Sequence, residues 1–334
     1  MTNTNLLLAP TDRRPRIAIL DDYLDCALTV ADWSAVLERA DVTVFREAFS
    51  DQDDAVAKLQ DFDVLAIMRE RTPLSRAIIE RLPNLRMIAM TGVRNPTLDA
   101  VAAQERGIVV STTTSTPNGS ANTVELAWTL ILSLARWIPS QDAGMRKGEW
   151  QTRLGRNIAG KKLGLIGLGR LGAQMVPIAR AFQMDVVAWS PNLNEERAAE
   201  ACVAYASKEE LFSTSDFISI HMVLSAKTRG LIGTEDLGRM KPSAFLVNTA
   251  RGPLVDEQAL LEALNSGKIA GAGLDVYDRE PLPVDHPLRS APNTVLSPHL
   301  GFATREGLGH YYTESIKNII AWLDGKPQNL FGAP

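Results

Sequence analysis

Three residues suited to proton transfer and carboxylate binding follow apolar runs in the second half of the sequence. Arg251, Glu280 and His299 each come shortly after such a run. The arginine fork binds a carboxylate through two N–H groups, and histidine exchanges a proton near neutral pH. A glutamate beside the histidine favours its charged form and orients the ring. Together the three predict chemistry on a 2-oxo or 2-hydroxy acid.

Each of these residues, taken singly, also has a structural explanation. Arg251 could pair with Asp256, Glu280 could be a solvated loop acid, and His299 could be a packed residue beside a strand end. Ligands of open parallel α/β sheets bind outside the carboxyl ends of the strands, where all three residues are expected. Their combination therefore favours catalysis. His286 and His310 show no such context.

A glycine-rich turn gives a second, independent signal. The stretch "KLGLIGLGRLGAQM" carries Gly167, Gly169, Arg170, Leu171 and Gly172 between a predicted strand and a predicted helix. In that context the G-x-G-x-x-G spacing fits a tight turn, a close backbone approach to a pyrophosphate and close helix–strand packing. An ordinary strand-to-helix turn is the alternative. The context favours a dinucleotide site.

The acid that such a turn expects about 20 residues further on is missing. The next strand ends at Ser190, followed by Pro191 and Asn192, and the nearest downstream base is Arg197. No arginine is expected beside Asn192. The cofactor is therefore NAD(H) or NADP(H), and serine, which repels neither form, predicts that both are accepted.

Apolar strands alternate with amphipathic helices in two series, which predicts an α/β fold with parallel sheets. The first series has strands at 16–20, 42–45, 63–68, 85–90 and 107–112, with helices at 32–40, 74–83 and 97–107. A long helix at 118–139, ended by Pro139, leaves the first sheet. The second series has strands at 162–167, 185–190, 217–222, 244–249, 270–276 and 294–297. A final helix at 305–325 could return to the first domain.

Composition narrows the class of protein. The 334 residues carry a net charge of −4 and are 45% hydrophobic, without the basic excess of a nucleic-acid-binding protein. No apolar run approaches the roughly 20 residues that span a bilayer, so no membrane contact is expected. Cys26 and Cys202 show no metal-binding or disulfide spacing, which predicts no metal and a reducing cytoplasm. Residues 1–15 are expected to form a loose tail.

Four stretches together resemble the D-isomer-specific 2-hydroxyacid dehydrogenases: "GKKLGLIGLGRLG", "LVNTARGPLVDEQALLEAL", "GAGLDVYDREPLP" and "NTVLSPHLGFAT". The resemblance implies two doubly wound parallel-sheet lobes. A Rossmann cofactor domain, 119–304, would be inserted in a flavodoxin-like substrate domain made of 1–118 plus 305–334. It also implies a homodimer formed through the cofactor domain, and a small 2-hydroxy or 2-oxo acid as substrate.

The resemblance assigns roles by position. His299 would be the acid/base, Glu280 its partner and Arg251 the carboxylate anchor, while Asp275 would hold the nicotinamide amide. Two further residues lie at strand ends: His221 is expected to be a structural or cofactor-edge residue, and Thr249 a cofactor contact. The loops 68–72 and 91–95 would close over the substrate, with Arg69, Gly92, Val93 and Arg94 as candidate contacts.

Departures from the family pattern bear on the substrate. Arg94 enters a loop that is usually glycine-rich, and Trp128 replaces the histidine of an Ala-Glu-His motif. Glu280 disfavours formate oxidation, because that branch carries glutamine there. Some relatives carry a small regulatory domain. The sequence ends at Pro334, soon after the last predicted helix, so that domain is expected to be absent. Some relatives act as cofactor-sensing corepressors, which is the alternative to an enzyme, but all three catalytic residues are kept here.

Overall fold

The computed structural model describes residues 13–115 and 121–332 of the chain. The chain divides into two compact units, one made of Met1–Gly119 with Thr304–Pro334 and the other of Ser120–Ala303. These limits differ by one residue from those expected from the sequence. Each unit is built on a parallel sheet of its own. The second unit is thus inserted in the first along the chain.

The sheet of the first unit has five parallel strands in the order β2-β1-β3-β4-β5. The strands are β1 (Arg16–Ile19), β2 (Asp41–Val44), β3 (Val64–Ile67), β4 (Met87–Met90) and β5 (Val109–Thr112). Every residue of β3 and β4 is buried, as expected where helices cover both faces of a parallel sheet. This strand order is that of flavodoxin-like sheets, so the expected class is confirmed.

Six helices lie in the described part of this unit. They are α1 (Ala27–Val30), α2 (Ser34–Leu37), α3 (Gln52–Leu59), α4 (Arg76–Ile79), α5 (Ala100–Glu105) and, at the end of the chain, α13 (Arg305–Leu323). The return of α13 is fixed by specific contacts. Asn318 donates to the Thr112 carbonyl at the end of β5 (2.8 Å), and the ring of Tyr312 lies 6.1 Å from that of Trp33.

The start of the described chain is held against the first sheet. Arg13 donates to both carboxylate oxygens of Asp63 (2.8 and 3.1 Å), and the backbone amide of Arg16 donates to the same group. The Asp63 side chain is almost fully buried, and a buried carboxylate requires such donors. The expected loose tail is therefore wrong for Arg13, while residues 1–12 lie outside the described chain.

The second unit contains a seven-stranded parallel sheet in the order β12-β11-β10-β9-β6-β7-β8. Its strands are β6 (Lys162–Ile166), β7 (Asp185–Trp189), β8 (Ala204–Tyr205), β9 (Phe217–Ile220), β10 (Phe245–Asn248), β11 (Gly271–Leu274) and β12 (Thr294–Leu296). Counted from β8, the first six strands run third, second, first, fourth, fifth and sixth. That is the Rossmann order, as expected.

The helices of this unit cover both faces of its sheet. They are α6 (Ala121–Arg136), α7 (Ile138–Met145), α8 (Arg170–Ala181), α9 (Glu195–Glu200), α10 (Lys208–Thr214), α11 (Thr234–Arg239) and α12 (Glu257–Asn265), with 3₁₀ turns at Gly252–Leu254 and Pro287–Arg289. Alternate residues of β10 enter different apolar clusters: Leu246 joins one, and Phe245 and Val247 join the other. Since side chains alternate along a strand, the two clusters lie on opposite faces.

The long helix expected at 118–139 differs from the structure at its end. Residues 116–120, which hold its expected start, lie outside the described chain, and α6 ends at Arg136. Trp137 adopts a left-handed conformation (φ 56°), and Pro139 sits in the first turn of α7. Pro139 does not end the helix, because proline is tolerated at the start of a new one. The break at Trp137 had no glycine to signal it.

Candidate active site

Six residues of interest in the second unit directly follow the last residue of a strand. They are Gly167, Ser190, His221, Thr249, Asp275 and Ser297, after β6, β7, β9, β10, β11 and β12. The last residues of these strands pair across the sheet in register, Ile166 with Ile220 and Trp189, and Asn248 with Ile220 and Leu274. The carboxyl ends therefore form one even edge, where ligands of such sheets bind.

Glu280 and His299 are joined at this edge. Nδ1 of the His299 ring lies 2.5 Å from Oε2 of Glu280. Because an ionised carboxylate can only accept, Nδ1 carries the hydrogen, and the other ring nitrogen, Nε2, is left for a further partner. The backbone amide of Tyr277 donates to Oε1 of the same carboxylate (2.9 Å). Both side chains remain partly exposed, at 22% for His299 and 28% for Glu280, so the pair is accessible.

The charge on Glu280 is favoured by its surroundings. Burial acts to raise its pKa, but the hydrogen bond and charge of His299, the Tyr277 amide and the charge of Arg251 outweigh it. The net result is a pKa lowered below the ordinary glutamate value. Glu280 is therefore an anion at neutral pH, and it places a fixed negative charge against the His299 ring.

Asp275 fixes the segment that carries His299. Its carboxylate accepts from the Ser297 hydroxyl (2.6 Å) and from the backbone amides of Leu300 (2.7 Å) and Gly301 (2.9 Å). The residue is completely buried, and burial raises its pKa against the opposing effect of these three bonds. His299 itself is left-handed (φ 55°), a conformation uncommon outside glycine. The three bonds, made on either side of His299, stabilise that backbone.

Arg251 follows β10 in extended backbone conformation and heads a 3₁₀ turn. Its Nη1 donates to the carbonyl of Ala250 (2.6 Å), and its own carbonyl accepts from the Asn248 side chain (2.9 Å). A Cβ on the next residue, Gly252, would lie 2.1 Å from the backbone of Tyr277. This close packing brings the arginine turn against the loop of Glu280, and the effect of Arg251 on the pKa of Glu280 agrees with that placement.

The glycine turn after β6 has the shape that a dinucleotide requires. Gly167 has φ 98°, and a Cβ there would lie 2.7 Å from the carbonyl oxygen of His221. A Cβ on Gly172 would lie 2.0 Å from the Gly167 carbonyl oxygen. Gly169, by contrast, faces open space. Two glycines thus allow close packing and the middle one leaves room above the start of α8, where Arg170 and Leu171 begin the helix.

Two buried polar atoms at the neighbouring strand ends have no partner among the described residues. They are Nδ1 of His221 and Oγ1 of Thr249. The other ring nitrogen of His221, Nε2, lies 2.9 Å from the Ser219 hydroxyl, and burial lowers the pKa of His221 to about 4. His221 is therefore neutral at neutral pH. Since buried polar groups are normally hydrogen-bonded, these atoms and the open Gly169 fit a bound dinucleotide.

The turn after β7 differs from expectation. Arg197 donates from Nη1 to the carbonyl of Asn192 (2.9 Å). The expectation that no arginine stands beside Asn192 is wrong, because a short turn and the start of α9 bring Arg197 back to it. Ser190 occupies the strand end, as expected. The sequence signal was Asn194, a good helix N-cap three residues before Arg197, whose side chain accepts from the Arg197 amide.

The expected substrate loops lie in the first unit, after β3 and β4. Arg69 is left-handed (φ 52°), and its amide donates to the Thr91 hydroxyl (2.8 Å). Gly92, φ 83°, is so close to the Arg69 guanidinium that a Cβ would lie 3.0 Å from it. Val93 and Arg94 are exposed. Hydrogen bonds and packing therefore tie the two loops together.

Trp128 is not a surface residue of its unit. It lies in α6, is only 5% exposed, and its ring centroid is 5.3 Å from that of Phe182.

Two residues of the site were not predicted from the sequence: Ser297, which donates to Asp275, and Tyr277, whose amide donates to Glu280. Tyr277 donates its hydroxyl to the carbonyls of Leu274 and Ser297, at 3.1 and 3.0 Å. Their positions at or just after strand ends were the available signal.

Among residues 13–115 and 121–332, no helix is long and apolar enough to cross a membrane. Within the same ranges, no group of three or more histidine, cysteine, aspartate or glutamate side chains could hold a metal ion. Cys26 and Cys202 are both free thiols.

Comparison with known proteins identifies the class. Residues 128–301 match the model of the D-isomer specific 2-hydroxyacid dehydrogenase NAD binding domain. Since this match covers more than half of the chain, the protein belongs to the D-isomer-specific 2-hydroxyacid dehydrogenase family. It is thus an oxidoreductase with a site for a nicotinamide cofactor, and the resemblance drawn from the four sequence stretches is confirmed.

Individual relatives carry different names. The chain is 40% identical over 276 residues to D-3-phosphoglycerate dehydrogenase of Methanocaldococcus jannaschii, covering 80% of this chain and 52% of that protein. It is 36% identical over 283 residues to glyoxylate reductase of Korarchaeum cryptofilum, covering 82% and 84%. The crystal structure of phosphoglycerate oxidoreductase from Vibrio cholerae aligns with TM-score 0.87 at 33% identity, covering 93% and 99%. The chain thus spans about half of the first relative and most of the other two.

Proposed function

We propose that this protein catalyses reversible hydride transfer between NAD(P)(H) and C2 of a small D-2-hydroxy or 2-oxo acid. The observation that carries the proposal is the His299–Glu280 pair, 2.5 Å apart and accessible at the carboxyl edge of the second sheet. Such a pair can supply and take back the hydroxyl proton that must move with the hydride. Hydride exchange with C2 is the chemistry that a bound nicotinamide supplies.

His299 is the proposed acid/base. Nδ1 is held by Glu280, so Nε2 is the nitrogen that faces a substrate oxygen. In reduction, Nε2 gives its proton to the carbonyl oxygen as C2 becomes tetrahedral. In oxidation, it takes the proton from the hydroxyl. The fixed charge of Glu280 stabilises the protonated ring and thus the donor form needed for reduction.

Arg251 is the proposed anchor of the substrate carboxylate. Its Nη1 donates to the Ala250 carbonyl, and its positive charge helps to lower the pKa of Glu280. A bidentate grip on the carboxylate would fix C2 relative to His299. The same positive charge would stabilise negative charge that develops on the carbonyl oxygen.

The proposed cofactor contacts follow the strand ends. The backbone of the glycine turn would face the pyrophosphate, Ser190 the adenosine ribose, and the residues after β9, β10 and β11 the nicotinamide side. The full set is Gly167, Gly169, Arg170, Leu171, Gly172, Ser190, His221, Thr249 and Asp275. Open space at Gly169 and the unpartnered atoms of His221 and Thr249 support this set. Asp275 already accepts three hydrogen bonds, which leaves about one lone-pair site for the nicotinamide amide.

The proposal assigns the first unit to the substrate, through Arg69, Gly92, Val93 and Arg94. The loops after β3 and β4 are already joined by hydrogen bonds, which supports a preformed surface. Exposed Arg94 adds a positive charge next to Val93. An acid with a second polar or anionic group is favoured by that charge. No metal is part of the proposed reaction.

The proposal includes a homodimer formed through the second unit and a location in the cytoplasm. Four large apolar side chains between residues 138 and 154 are exposed: Ile138 (55%), Met145 (53%), Trp150 (73%) and Leu154 (94%). Clustered exposure of this kind marks interaction surfaces. Sedimentation velocity of the wild type and Trp150→Glu tests this surface, since the variant should shift toward monomer.

The proposed location in the cytoplasm is supported by the cysteines, because Cys26 and Cys202 are free and free thiols agree with a reducing compartment.

A turnover assay tests the proposed function. Glyoxylate, hydroxypyruvate, pyruvate and bulkier 2-oxo acids are each supplied with NADH and with NADPH, and loss of the reduced cofactor is followed. At least one acid should be reduced to the D isomer of its hydroxy acid. Tight cofactor binding without turnover of any acid would contradict the proposal and favour a cofactor-sensing binding protein instead.

A further inference from the structure

The loop after β7 forms a compact turn. The amide of Leu193 donates to the carbonyl of Ser190 (3.0 Å), which closes the turn Ser190–Leu193. Pro191 occupies the second position, where its fixed φ favours such turns. The turn therefore places the carbonyl of Asn192 at a defined point just beyond the strand end.

Arg197 is folded back onto this turn. Helix α9 begins after Asn194, whose side chain accepts from the backbone amide of Arg197 (3.0 Å). From there the guanidinium reaches Asn192 and donates from Nη1 to its carbonyl (2.9 Å). Among the described residues this is the guanidinium's one hydrogen bond, and it pairs with no carboxylate there. Four of its five N–H donors are therefore unused.

Two further donors belong to the same turn. The Ser190 hydroxyl and the Asn192 side-chain amide make no hydrogen bond within the described part of the chain. Ser190 is half-buried, and Asn192 and Arg197 are exposed. Glu195 and Glu196 also precede Arg197 on α9; both are exposed, and neither forms an ion pair with it among the described residues. The turn thus presents a cation and two neutral donors, where NAD-specific sites present an acid.

We infer that Arg197 is a specificity-determining residue that binds the 2′-phosphate of NADP(H), with Ser190 and Asn192 as neutral donors beside it. The inference rests on the proposed function, because it assumes that the adenosine ribose lies at the end of β7. Arginine is well suited to phosphate, since its planar fork donates two parallel hydrogen bonds. NAD(H) lacks the phosphate, and its affinity should depend little on Arg197.

The expected loss of NADPH affinity on removing the Arg197 guanidinium is moderate because Arg197 is exposed. A hydrogen bond to a charged group, reduced by solvent screening, corresponds to roughly tenfold in affinity. Arg197→Gln should therefore raise the Kd of NADPH about tenfold and change the Kd of NADH less than twofold. Arg197→Lys keeps the charge without the fork and should fall between wild type and Arg197→Gln. High salt should reduce the difference.

Arg180 provides a matched control. It is exposed at the end of α8, and its guanidinium also donates to a backbone carbonyl, that of Cys202. Arg180→Gln removes the same charge and the same kind of bond, but at the segment that follows α9. It should leave the Kd of both cofactors unchanged. Thermal unfolding of each variant, measured without cofactor, checks that the fold is retained.

The experiment is equilibrium titration of the full chain with NADPH, NADH and adenosine 2′,5′-bisphosphate, followed by calorimetry. The result expected is selective loss of NADPH and bisphosphate binding in Arg197→Gln alone. If the wild type binds NADH but not NADPH, or if Arg197→Gln weakens both equally or neither, the inference is overturned and the proposed function stands. If the wild type binds neither nucleotide, both are overturned.

Discussion

Nδ1 of His299 and Oε2 of Glu280 lie 2.5 Å apart, although the two residues follow different strands and are 19 positions apart in sequence. Hydrogen bonds with buried residues fix the position of each. The Tyr277 amide binds the other oxygen of Glu280, and Asp275 fixes the backbone on the far side of His299. The pair is therefore preorganised by the fold, and its charge state should be visible in the pH dependence of the reaction.

Glu280→Gln should move the alkaline limb of the reduction rate to lower pH. Reduction needs a protonated donor, and the negative charge of Glu280 favours that form. Glutamine can still hydrogen-bond to Nδ1, but it removes the negative charge that stabilises the donor form. The measurement is kcat/KM against pH with a saturating cofactor. Glu257→Gln, which breaks the similar pair with His286 (3.0 Å), is the control and should not shift the limb. An unchanged profile in Glu280→Gln would mean that the pair does not act in the reaction.

Arg251→Lys should raise KM for the 2-oxo acid about tenfold or more and lower kcat. The variant keeps the charge but loses the fork that would hold the carboxylate in one orientation. The Kd of the cofactor, measured separately, should change little. A change in KM of less than twofold would show that the carboxylate is held elsewhere, and Arg94 would then be tested first.

Ser190→Asp should tilt the enzyme toward NAD(H), mainly through loss of NADP(H). The new carboxylate would repel a 2′-phosphate and accept a hydrogen bond from a 2′-hydroxyl. The comparison is kcat/KM for both cofactors in both proteins. A wild type already strictly dependent on NAD(H) would show that another residue excludes the phosphate, contrary to the role given to Ser190.

His221 should make the apoprotein less stable in mild acid. Its pKa is lowered from 6.5 to about 4 by burial, so between these values the unfolded chain binds a proton that the folded chain does not. Stability is therefore lost as pH falls through this window, by roughly 2 kcal/mol at pH 5 relative to pH 7. Urea unfolding of wild type and His221→Gln at both pH values measures the difference. The variant should lose less stability than the wild type, and His310→Gln should behave as the wild type does. Equal losses in His221→Gln and wild type would contradict the buried, neutral state of His221.

The strands could be placed approximately from the sequence because buried strands of parallel sheets are short, uniformly apolar runs. The runs 244–249 and 270–276 include Thr249 and Asp275, whereas the strands themselves end just before these residues, at Asn248 and Leu274. The Gly167 turn has a spacing that few other structures require. Each of these signals is local. Residues that follow neighbouring strands then come together because the strands pair in register.

Features that depend on contacts distant in sequence could not be predicted. The bond between Asp275 and the Leu300 amide joins residues 25 positions apart, in the segments that follow β11 and β12, and no sequence pattern marks it. The break at Trp137 is a left-handed residue without the usual glycine. The contact of Arg197 with Asn192 is local by comparison, and the N-cap Asn194 was a signal in the sequence from which it could have been predicted.

The most direct test of the account is single-turnover reduction by wild type and His299→Gln. Enzyme loaded with reduced cofactor is mixed with the 2-oxo acid that the wild type turns over fastest, and cofactor oxidation is followed. Glutamine can hydrogen-bond but cannot exchange the proton, so the rate should fall at least about 10²- to 10⁴-fold while cofactor affinity is kept. A rate in His299→Gln close to that of the wild type would contradict the assignment of His299 as the acid/base.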